Sequence, residues 1–313
     1  MKIQRIQLFT YEIAYSHGYQ RSGALIKIET EKGESGTGDL APLKERSRET
    51  LSQAIVQFEK YESTLASMQW DKDRFLDQLA ELSLFPSLAF AIESALFSIF
   101  QPVFSYTLDT AALLMGNSVE QILRIADWRK AEGFKTAKLK IGNLTHDEAT
   151  AVIRALNGRF RLRIDANSRW TFSDSVRFFS QFPEDLFEYI EDPIASFDDL
   201  KRFPFPIAIE EPLSRGISLE SIETLPTLKA LAYKPTVLGG YLVGKQLKDW
   251  ADRRNISLVL SSSLESDVGH FHIAATAGRL GLISAIGIGT YQYLNQQIGE
   301  YKLHFQNGKC LIP

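Results

Sequence analysis

Charged residues stand at the ends of successive apolar segments in the second half of the chain. These ends read Lys138-Leu139-Lys140, Arg163-Ile164-Asp165-Ala166-Asn167, Glu191-Asp192-Pro193, Glu210-Glu211-Pro212, Lys234-Pro235 and Ser261-Ser262-Ser263. Carboxylates from neighbouring segments, at positions 165, 191 and 210, would repel one another and raise one another's pKa. A hard divalent cation removes this repulsion, and Mg²⁺ takes carboxylate oxygens while keeping positions for water or substrate. The pattern therefore predicts a Mg²⁺ site, which Mn²⁺ could also fill.

Two lysines, Lys140 and Lys234, would flank such a metal. Burial, a neighbouring ammonium and a nearby Mg²⁺ all favour the neutral amine, which is the form that a general base needs. The chemistry indicated is abstraction of a proton α to a carboxylate, with the metal stabilising the enediolate that forms. A zinc site is not indicated, because His270 and His272 would diverge on a predicted helix.

Three further polar residues are candidates for binding a substrate. Arg163 would either pair with Asp165 or bind a substrate carboxylate, and Ser262 would either contact the substrate or cap a strand end. Asn167 is a third candidate, although with Asp165 it could instead form a turn. The histidines, at positions 17, 146, 270, 272 and 304, are interpreted as surface or structural residues.

An alternation of strands and helices must position these residues. The strand candidates are 110–115, 136–141, 161–166, 187–191, 207–210, 230–234, 256–262 and 283–288. Amphipathic stretches such as 118–131 and 242–253 lie between them, and Thr145 and Gly158 are suited to begin and end a helix over 146–157. Eight strands in alternation predict a (β/α)₈-type barrel, in which the C-terminal strand ends meet at one mouth. A doubly wound sheet is the alternative.

The first hundred residues follow a different order, with strands before helices. Residues 3–15 and 24–30 read as strands, and 46–66 and 72–100 as helices, which predicts an α+β domain. Gln101-Pro102-Val103 is the expected boundary. The tail 299–312 reads as a hairpin around Asn307-Gly308 that returns to the N-terminal domain. The predicted divisions are an α+β domain over 1–105, a barrel over 106–290 and a returning segment over 291–313.

Composition narrows the classes of function. The chain has 313 residues, with 35 Lys and Arg against 38 Asp and Glu, so no basic excess favours nucleic acid as a partner. No apolar run approaches the roughly 18 residues that a membrane span needs, and residues 1–20 contain no signal-peptide core. A single cysteine, Cys310, fits a reducing compartment. We expect a cytoplasmic protein that acts on a small-molecule carboxylate, with neither nucleic acid nor membrane as a partner.

The order KxK, DANSRW, EDP, EEP and KP resembles the enolase superfamily, in its muconate-lactonising-enzyme-like branch. Further motifs are similar to those of the o-succinylbenzoate synthase family: GDLAPLKERSRETL (38–51), KLKIG (138–142), RIDANSRW (163–170), YKPTVLGG (233–240) and SSSLES (261–266). The resemblance implies an α/β fold, namely a modified TIM-type (β/α)₇β barrel with an N-terminal α+β capping domain and a returning C-terminus.

The resemblance also implies roles for individual residues. Asp165, Glu191 and Glu210 match the metal ligands, and Lys140 matches the lysine that removes the proton and returns it as an acid. Lys234 matches a lysine that steadies the enediolate, and Lys138 would tune Lys140. One position departs from the family pattern. Where Asp followed by Glu is usual, this chain has Glu210-Glu211, so either glutamate could be the third ligand.

The expected activity is that of a lyase dehydrating 2-succinyl-6-hydroxy-2,4-cyclohexadiene-1-carboxylate to o-succinylbenzoate in menaquinone synthesis. An N-acylamino acid racemase or dipeptide epimerase is an alternative, although residues 287–292 read GIGTYQ and lack the Asp-x-Asp usual in dipeptide epimerases. Muconate cycloisomerisation is a third option. Outside the superfamily, the alternatives are a Schiff-base aldolase and a non-catalytic barrel.

Overall fold

The N-terminal part of the chain forms an antiparallel sheet. In this computed structural model, which describes residues 1–16, 18–101 and 105–312, the sheet has the order β1-β2-β3. Its strands are β1 (Ile3–Ala14), β2 (Gln20–Thr30) and β3 (Ser35–Leu40). The first two strands match the predicted ones. The third was not predicted, because its sequence SGTGDL has little of the apolar alternation that marks a strand.

Three helices follow the sheet: α1 (Leu51–Ser67), α2 (Phe75–Ala80) and α3 (Pro86–Phe100). Helices α1 and α3 pack against its strands, and α2 packs against α3. The helix predicted over 72–100 is therefore two helices, because Pro86 begins α3 and Ser83 adopts a positive φ of 51° before it. Gly38 lets α3 approach β3 closely, since a Cβ there would collide with the Ala91 carbonyl. Together these elements are the predicted α+β capping domain.

Seven strands after residue 110 form a curled parallel sheet. They are β5 (Ala111–Leu114), β6 (Thr136–Lys140), β7 (Arg161–Asp165), β8 (Phe187–Glu191), β9 (Ile207–Ile209), β10 (Leu228–Tyr233) and β11 (Ser257–Leu260). The preceding strand, β4 (Tyr106–Asp109), lies outside this sheet. Strands β5 to β11 pair in chain order. The intervening helices are α4 (Val119–Ala131), α5 (His146–Leu156), α6 (Phe172–Phe179), α7 (Phe197–Leu200), α8 (Glu211–Ser214), α9 (Leu219–Ile222), α10 (Pro235–Leu238), α11 (Tyr241–Asp252) and α12 (Asp267–Arg279). This is the predicted barrel architecture.

The eighth predicted strand, 283–288, is wrong as a regular strand. The structure has only two isolated bridges there, Thr110 with Ile286 and Ser261 with Gly287. These two bridges nevertheless close the ring, because one reaches the start of β5 and the other the end of β11. Backbone hydrogen bonds accompany both bridges: Ala111 N donates to Ile286 O and Ile286 N to Asp109 O on one side, and Ser262 N donates to Gly287 O and Gly287 N to Leu260 O on the other. A short 3₁₀ helix, Gly289–Tyr293, follows it.

The C-terminal hairpin is confirmed, with strands β12 (His304–Gln306) and β13 (Lys309–Ile312). Asn307 and Gly308 make its turn with positive φ angles of 52° and 69°. The hairpin pairs with β4 rather than with the capping domain. The return to the capping domain is made earlier, where Ser16 N donates to Tyr293 O (2.7 Å) and Asn295 N to Ala14 O (3.0 Å).

Two large hydrophobic cores support this arrangement, beside a small cluster of Tyr189, Ala208, Ala230 and Val259. One fills the space between the barrel strands and their outer helices, and the other lies between the capping sheet and α1 to α3. The predicted boundary at Gln101-Pro102-Val103 falls largely outside the described residues, as does His17. Within 1–16, 18–101 and 105–312, no helix has the length and apolar character needed to cross a membrane.

Candidate active site

The strand ends bring the predicted polar residues to one mouth of the barrel. Lys140 of β6 lies beside Asp165 of β7, which in turn lies beside Glu191 of β8. Glu210 directly follows β9, and Lys234 directly follows β10. Because β6 and β10 have three ring members between them in either direction, Lys140 and Lys234 stand on opposite sides of the mouth. The carboxylates come from the three strands between them.

Two of the lysines are already paired with carboxylates. Lys138 Nζ lies 2.9 Å from Asp165 Oδ2 and 2.7 Å from Glu191 Oε1. Across the mouth, Lys234 Nζ lies 2.8 Å from Glu210 Oε2. Lys140 forms no ion pair with any described carboxylate. The three lysines therefore differ in their surroundings, and Lys140 is the one whose amine is available to a substrate.

A cavity of about 190 Å³ opens over these residues. Capping-domain residues cover part of it, because Leu43 and Arg46 belong to its lining. The other lining residues come from the barrel: Ala111, Leu113, Lys138, Lys140, Asp165, Asn167, Glu210, Lys234, Ser261, Ser262, Gly287, Gly289 and Thr290. Lys138, Asp165, Asn167, Glu210, Lys234, Lys140 and Ser262 of the predicted site thus share one cavity.

The electrostatics distinguish Lys140 from Lys138. Burial lowers the pKa of Lys140, and the ammonium groups of Lys138 and Lys234 lower it further, against an opposing effect of Asp165. Lys140 is nevertheless exposed to solvent at the cavity, so its loss of hydration is greatest once a substrate fills the site. Burial would also lower the pKa of Lys138, but Asp165 and Glu191 outweigh it and raise that pKa above its usual value.

The carboxylates respond to the same neighbours. Burial raises the pKa of Glu191 although Lys138 opposes the shift. For Asp165 the nearby ammonium groups of Lys138 and Lys140 outweigh burial, and its pKa is lowered. Burial, with Glu191 and Glu210 close by, raises the pKa of Asp192 well above its usual value. Buried carboxyl groups are thus concentrated at this part of the mouth, and the raised pKa values of Glu191 and Asp192 reflect their burial and mutual proximity.

This concentration of oxygen ligands is suited to a hard cation. Glu191, Asp192 and Glu210 can each offer a carboxylate oxygen within 4.8 Å of the others. Asp192 differs from its two neighbours in having a structural duty, since it accepts from Glu210 N (3.0 Å) and Glu211 N (3.1 Å). It thereby fixes the backbone that carries Glu210. Asp165, which was predicted as a ligand together with Glu191 and Glu210, is not part of this cluster; it lies beside Glu191 and is held by Lys138.

The two adjacent glutamates have different partners. Glu211 accepts from Arg46 (2.6 Å) and from Arg215 (2.7 Å), so both of its oxygens are engaged by guanidinium groups. Glu210 lines the cavity and pairs only with Lys234 among the described ion pairs. This arrangement favours Glu210 over Glu211 as the residue that faces a metal.

Arg163 lies away from the cavity, contrary to its predicted role in substrate binding. Its Nε donates to Glu188 Oε2 (2.7 Å), and its Nη1 donates to the Ala285 carbonyl (2.7 Å). The guanidinium also lies over the ring of Tyr189. Side chains inside a strand barrel stack in layers, and Arg163 occupies a layer below Asp165. Arg163 therefore neither pairs with Asp165 nor lines the cavity.

Asn167 and Ser262 do lie at the cavity. The Asn167 backbone N–H donates to Asp165 Oδ1 (3.0 Å), which helps to orient that carboxylate. Ser262 Oγ lies 2.5 Å from Thr290 Oγ1, which lies 2.8 Å from His270 Nε2. His270 Nδ1 in turn faces the Ser266 carbonyl at 2.9 Å. A carbonyl can only accept, so Nδ1 carries the proton and Nε2 accepts from Thr290.

Arg46 and Thr290 were missed by sequence reasoning. Arg46 lies in GDLAPLKERSRETL, a motif that supported the family resemblance, and Thr290 lies in GIGTYQ, a segment that argued against a dipeptide epimerase. Its place in the motif GDLAPLKERSRETL was the available signal for Arg46. Nothing local in the sequence distinguishes Thr290 from any other loop threonine.

Fold and site together define a capped barrel with lysines and carboxylates at the C-terminal strand ends. A family model described as "Enolase C-terminal domain-like" matches residues 121–313, and the chain belongs to that family. A second model, described as "MenC, N-terminal domain", matches residues 4–99. The resemblance to the enolase superfamily, and to its o-succinylbenzoate synthase-like branch, is thereby confirmed.

Similar proteins occur in plants and bacteria. The chain is 24% identical to the protein PHYLLO, chloroplastic, of Arabidopsis thaliana over 90% of this chain, but it spans only 20% of that protein's length. It is 27% identical to an o-succinylbenzoate synthase of Yersinia enterocolitica, covering 88% of this chain and 84% of the relative. An o-succinylbenzoate synthase of Vibrio cholerae is also 27% identical, with 83% and 79% covered.

Solved structures share the fold at lower identity. The L-Ala-D/L-Glu epimerase of Bacillus subtilis superposes with a TM-score of 0.86 at 19% identity, covering 100% of this chain and 97% of that one. MenC of Desulfotalea psychrophila superposes with a TM-score of 0.84 at 19% identity, with 100% of both chains covered. These likenesses establish the fold and leave the reaction to the chemistry of the site.

Proposed function

We propose that this protein is an o-succinylbenzoate synthase, a lyase that dehydrates 2-succinyl-6-hydroxy-2,4-cyclohexadiene-1-carboxylate in menaquinone synthesis. The observation that carries the proposal is the asymmetry of the two lysines across the mouth. Lys234 is bound to Glu210, whereas Lys140 has no described carboxylate partner. A syn elimination needs one base, which both takes the proton and assists the leaving hydroxyl on the same face.

In this reaction Lys140 Nζ takes the proton from the carbon α to the ring carboxylate. The electrons of the broken C–H bond delocalise into the carboxylate as an enediolate. Lys140, now an ammonium, donates its proton to the departing hydroxyl, which leaves as water while the electrons return to form the aromatic ring. One water is lost in all, and Lys140 ends in its starting state. Aromatisation makes the second half favourable.

The other two lysines hold charge and do not move the proton. Lys234 presents its ammonium on the face opposite Lys140, where it steadies the negative charge of the enediolate. Lys138 has its pKa raised by Asp165 and Glu191, so it stays charged. As a fixed cation of the same strand it favours the neutral form of Lys140.

Asp165, Glu191 and Glu210 would hold Mg²⁺, or Mn²⁺ in its place, with Asp192 positioning Glu210 through its backbone. Glu191 and Glu210 offer oxygens within 4.8 Å of each other and of Asp192, Asp165 is the strand neighbour of Glu191, and carboxylate oxygens suit such a cation. The chemistry supplied by the metal when bound is electrostatic stabilisation of the charge that develops on the substrate carboxylate. Asn167 and Ser262 would contact the substrate from the wall of the cavity.

A racemase or epimerase acting on an N-acylamino acid is the second candidate, and one observation favours it. Lys234 stands opposite Lys140, as a two-base reaction would need. Against it, Lys234 would have to leave its ion pair with Glu210 and lose a proton before it could act as a base. The segment 287–292 also brings Thr290 and glycines to the cavity instead of acidic residues that could hold an amino group.

The test is turnover of the cyclohexadiene followed by ultraviolet absorption, beside racemisation of N-succinylamino acids followed by polarimetry. We expect the purified protein to form o-succinylbenzoate, and Lys140→Ala to be inactive in both assays. Efficient racemisation with no dehydration would contradict the proposal and favour the second candidate. Borohydride trapping of substrate on a lysine would instead indicate Schiff-base chemistry.

A further inference from the structure

Arg46 brings a guanidinium from the capping domain to the cavity of the barrel. It lies in the loop between β3 and α1, and it is the one arginine among the described lining residues. Its side chain is 30% exposed, and its Nη2 lies 2.6 Å from Glu211 Oε1. Glu211 raises the pKa of Arg46, with smaller effects from Glu210 and Asp192, so the group remains a cation.

Contacts from both domains fix the loop that carries Arg46. Arg21 Nη1 donates to the Pro42 carbonyl (2.8 Å), and Arg21 Nη2 donates to the Ala41 carbonyl. Arg21 Nε reaches the barrel, where it donates to the Leu264 carbonyl (3.1 Å). Within the loop, Leu43 N donates to Ser47 Oγ (2.9 Å). These hydrogen bonds hold the loop in place, so the loop forms a fixed part of the cavity wall.

The partner of Arg46 does not depend on it. Glu211 Oε2 is also bound by Arg215, at 2.7 Å. If Arg46 turned toward a ligand, Glu211 would keep one guanidinium partner, so the exchange would not leave a bare buried carboxylate. The planar fork of Arg46 is suited to bind a carboxylate with two parallel hydrogen bonds.

The remaining cations of the cavity have other duties. Lys138 and Lys234 are paired with carboxylates, and Lys140 is the proposed base. Arg163, the arginine expected from the sequence to bind a carboxylate, donates to Glu188 instead. A substrate with a second carboxylate, remote from the reacting carbon, thus meets Arg46 as the available partner.

We propose that Arg46 binds the distal carboxylate of a dicarboxylate substrate and so sets the preference for a succinyl group over an uncharged acyl group. This inference rests on the proposed function, in which the ring carboxylate takes part in the reaction and the succinyl carboxylate points away from it. Leu43 on the same loop would contact the two methylene groups that lie between the ketone and the distal carboxylate of the succinyl group.

The experiment compares two ligands that differ only at the distal end. o-Succinylbenzoate carries the second carboxylate, and o-butyrylbenzoate has a methyl group in its place. Calorimetric titration of the Mg²⁺-loaded protein should show tighter binding of the succinyl ligand. Arg46→Gln should weaken it by about 10- to 100-fold, as expected for loss of a charge-assisted bidentate contact, and should leave the butyryl ligand nearly unchanged.

Arg215→Gln is the matched control, because it removes the other guanidinium from Glu211 while standing outside the cavity lining. It should leave the ratio of the two affinities unchanged. Arg46→Lys keeps the charge but loses the fork, and it should recover part of the preference. Thermal unfolding of each variant establishes that the loop change leaves the fold intact.

Two results would overturn the inference. One is equal affinity of the unmutated protein for both ligands. The other is an equal loss for both ligands in Arg46→Gln, matched by Arg215→Gln, since Arg46 would then only neutralise Glu211. If the protein fails to dehydrate the cyclohexadiene but prefers N-succinyl over N-butyryl amino acids through Arg46, the proposed function fails while this inference stands.

Discussion

Buried carboxylates occur in two regions of this molecule, and they are stabilised by different kinds of partner. At the barrel mouth, Asp165, Glu191 and Glu210 are paired with lysine side chains. At the seam between the domains, Asp39 and Glu93 of the capping domain accept hydrogen bonds from the barrel backbone. Asp39 Oδ2 accepts from Ser266 N (2.9 Å), and Glu93 accepts from Tyr241 N.

The two seam carboxylates lie at the starts of barrel helices. Ser266 is the N-cap of α12, and Tyr241 is the first residue of α11. Gly240 makes room for Glu93, whose carboxylate occupies the space that a Cβ would fill. Helix N-termini carry unpaired N–H groups and partial positive charge. Each carboxylate therefore docks the capping domain onto a fixed dipole of the barrel.

The lysine partners at the mouth serve function, whereas the backbone partners at the seam serve the assembly of the two domains. A lysine side chain can move and release its carboxylate to a metal or a substrate, so the mouth can change its contents. A backbone N–H at a helix start cannot move without unwinding the helix. We therefore expect changes at the mouth to remove activity with little loss of stability, and changes at the seam to alter stability first.

Removal of the metal should have the largest effect on activity. Exhaustive chelation should abolish turnover, and added Mg²⁺ or Mn²⁺ should restore it, because the proton α to a carboxylate is too weakly acidic to leave without stabilisation of the enediolate. Circular dichroism should show an unchanged fold. Full activity after chelation would remove the metal from the proposal.

Asp165→Asn should weaken Mg²⁺ binding in a calorimetric titration.

Lysine replacement should have the next largest effect. Lys140→Ala should lower kcat by at least about 10²- to 10⁴-fold, because the general base is lost. Lys234→Arg keeps a positive charge and should retain more activity than Lys140→Arg. Exchange of the α hydrogen in deuterium oxide gives a second readout. Each lysine would place deuterium on the face of the substrate that it contacts, and the two lysines stand on opposite faces. Exchange performed by Lys234 alone would reverse the assignment of the two lysines.

Glu210 and Glu211 provide a matched pair of substitutions at the mouth. Glu210→Gln should damage activity more, because Glu210 faces the cavity, whereas the Glu211 carboxylate is bound by Arg46 and Arg215. Loss of a neighbouring, non-ligand partner typically costs about 10- to 100-fold, and we expect Glu211→Gln near the lower end of that range. The reverse ranking in steady-state kinetics would make Glu211 the ligand.

A seam substitution should have the smallest effect on turnover and a clear effect on stability. Burial raises the pKa of Glu93 to about 7, although the Tyr241 and Leu242 N–H groups oppose the shift. The folded protein thus holds this proton to higher pH than the unfolded chain, so the Glu93 contribution to stability falls as pH rises from about 4.5 to 7. The expected fall is about 3 kcal/mol.

Glu93→Gln should remove this part of the pH dependence, measured by urea unfolding at a series of pH values. Asp39, whose pKa burial raises to about 6, contributes in the same direction at lower pH. Glu220→Gln, an exposed substitution in the first turn of α9, is the control and should leave the profile unchanged in this window. An unchanged profile in Glu93→Gln would show that Glu93 does not titrate in the folded protein over this range.

Much of the site could be predicted because it depends on local order along the chain. A polar residue at the end of an apolar strand faces the mouth of a barrel whatever the rest of the fold does. Lys140, Asp165 and Glu210 share one cavity, as that rule predicts, although the rule did not distinguish Glu210 from Glu211. The α5 helix is equally local, since the predicted cap Thr145 makes a capping box with Glu148.

Contacts between distant parts of the chain could not be predicted in this way. Arg163 was expected near Asp165 because they share a strand face, yet the choice of Glu188 as its partner depends on how β7 and β8 are layered. Arg46 meets Glu211 only because the capping domain is placed over the barrel. Asp39 and Ser266 are 227 residues apart in sequence.

The sequence by itself determined the alternation of elements, the family resemblance and the residue types at the mouth, because these follow from periodicity and from order along the chain. Tertiary structure alone decided which charge meets which: Lys140 left without a described carboxylate partner, Glu211 held by two arginines, and Glu93 seated at the start of α11. The physical reason is that Coulomb and hydrogen-bond energies depend on distance and burial, and only the folded chain sets either.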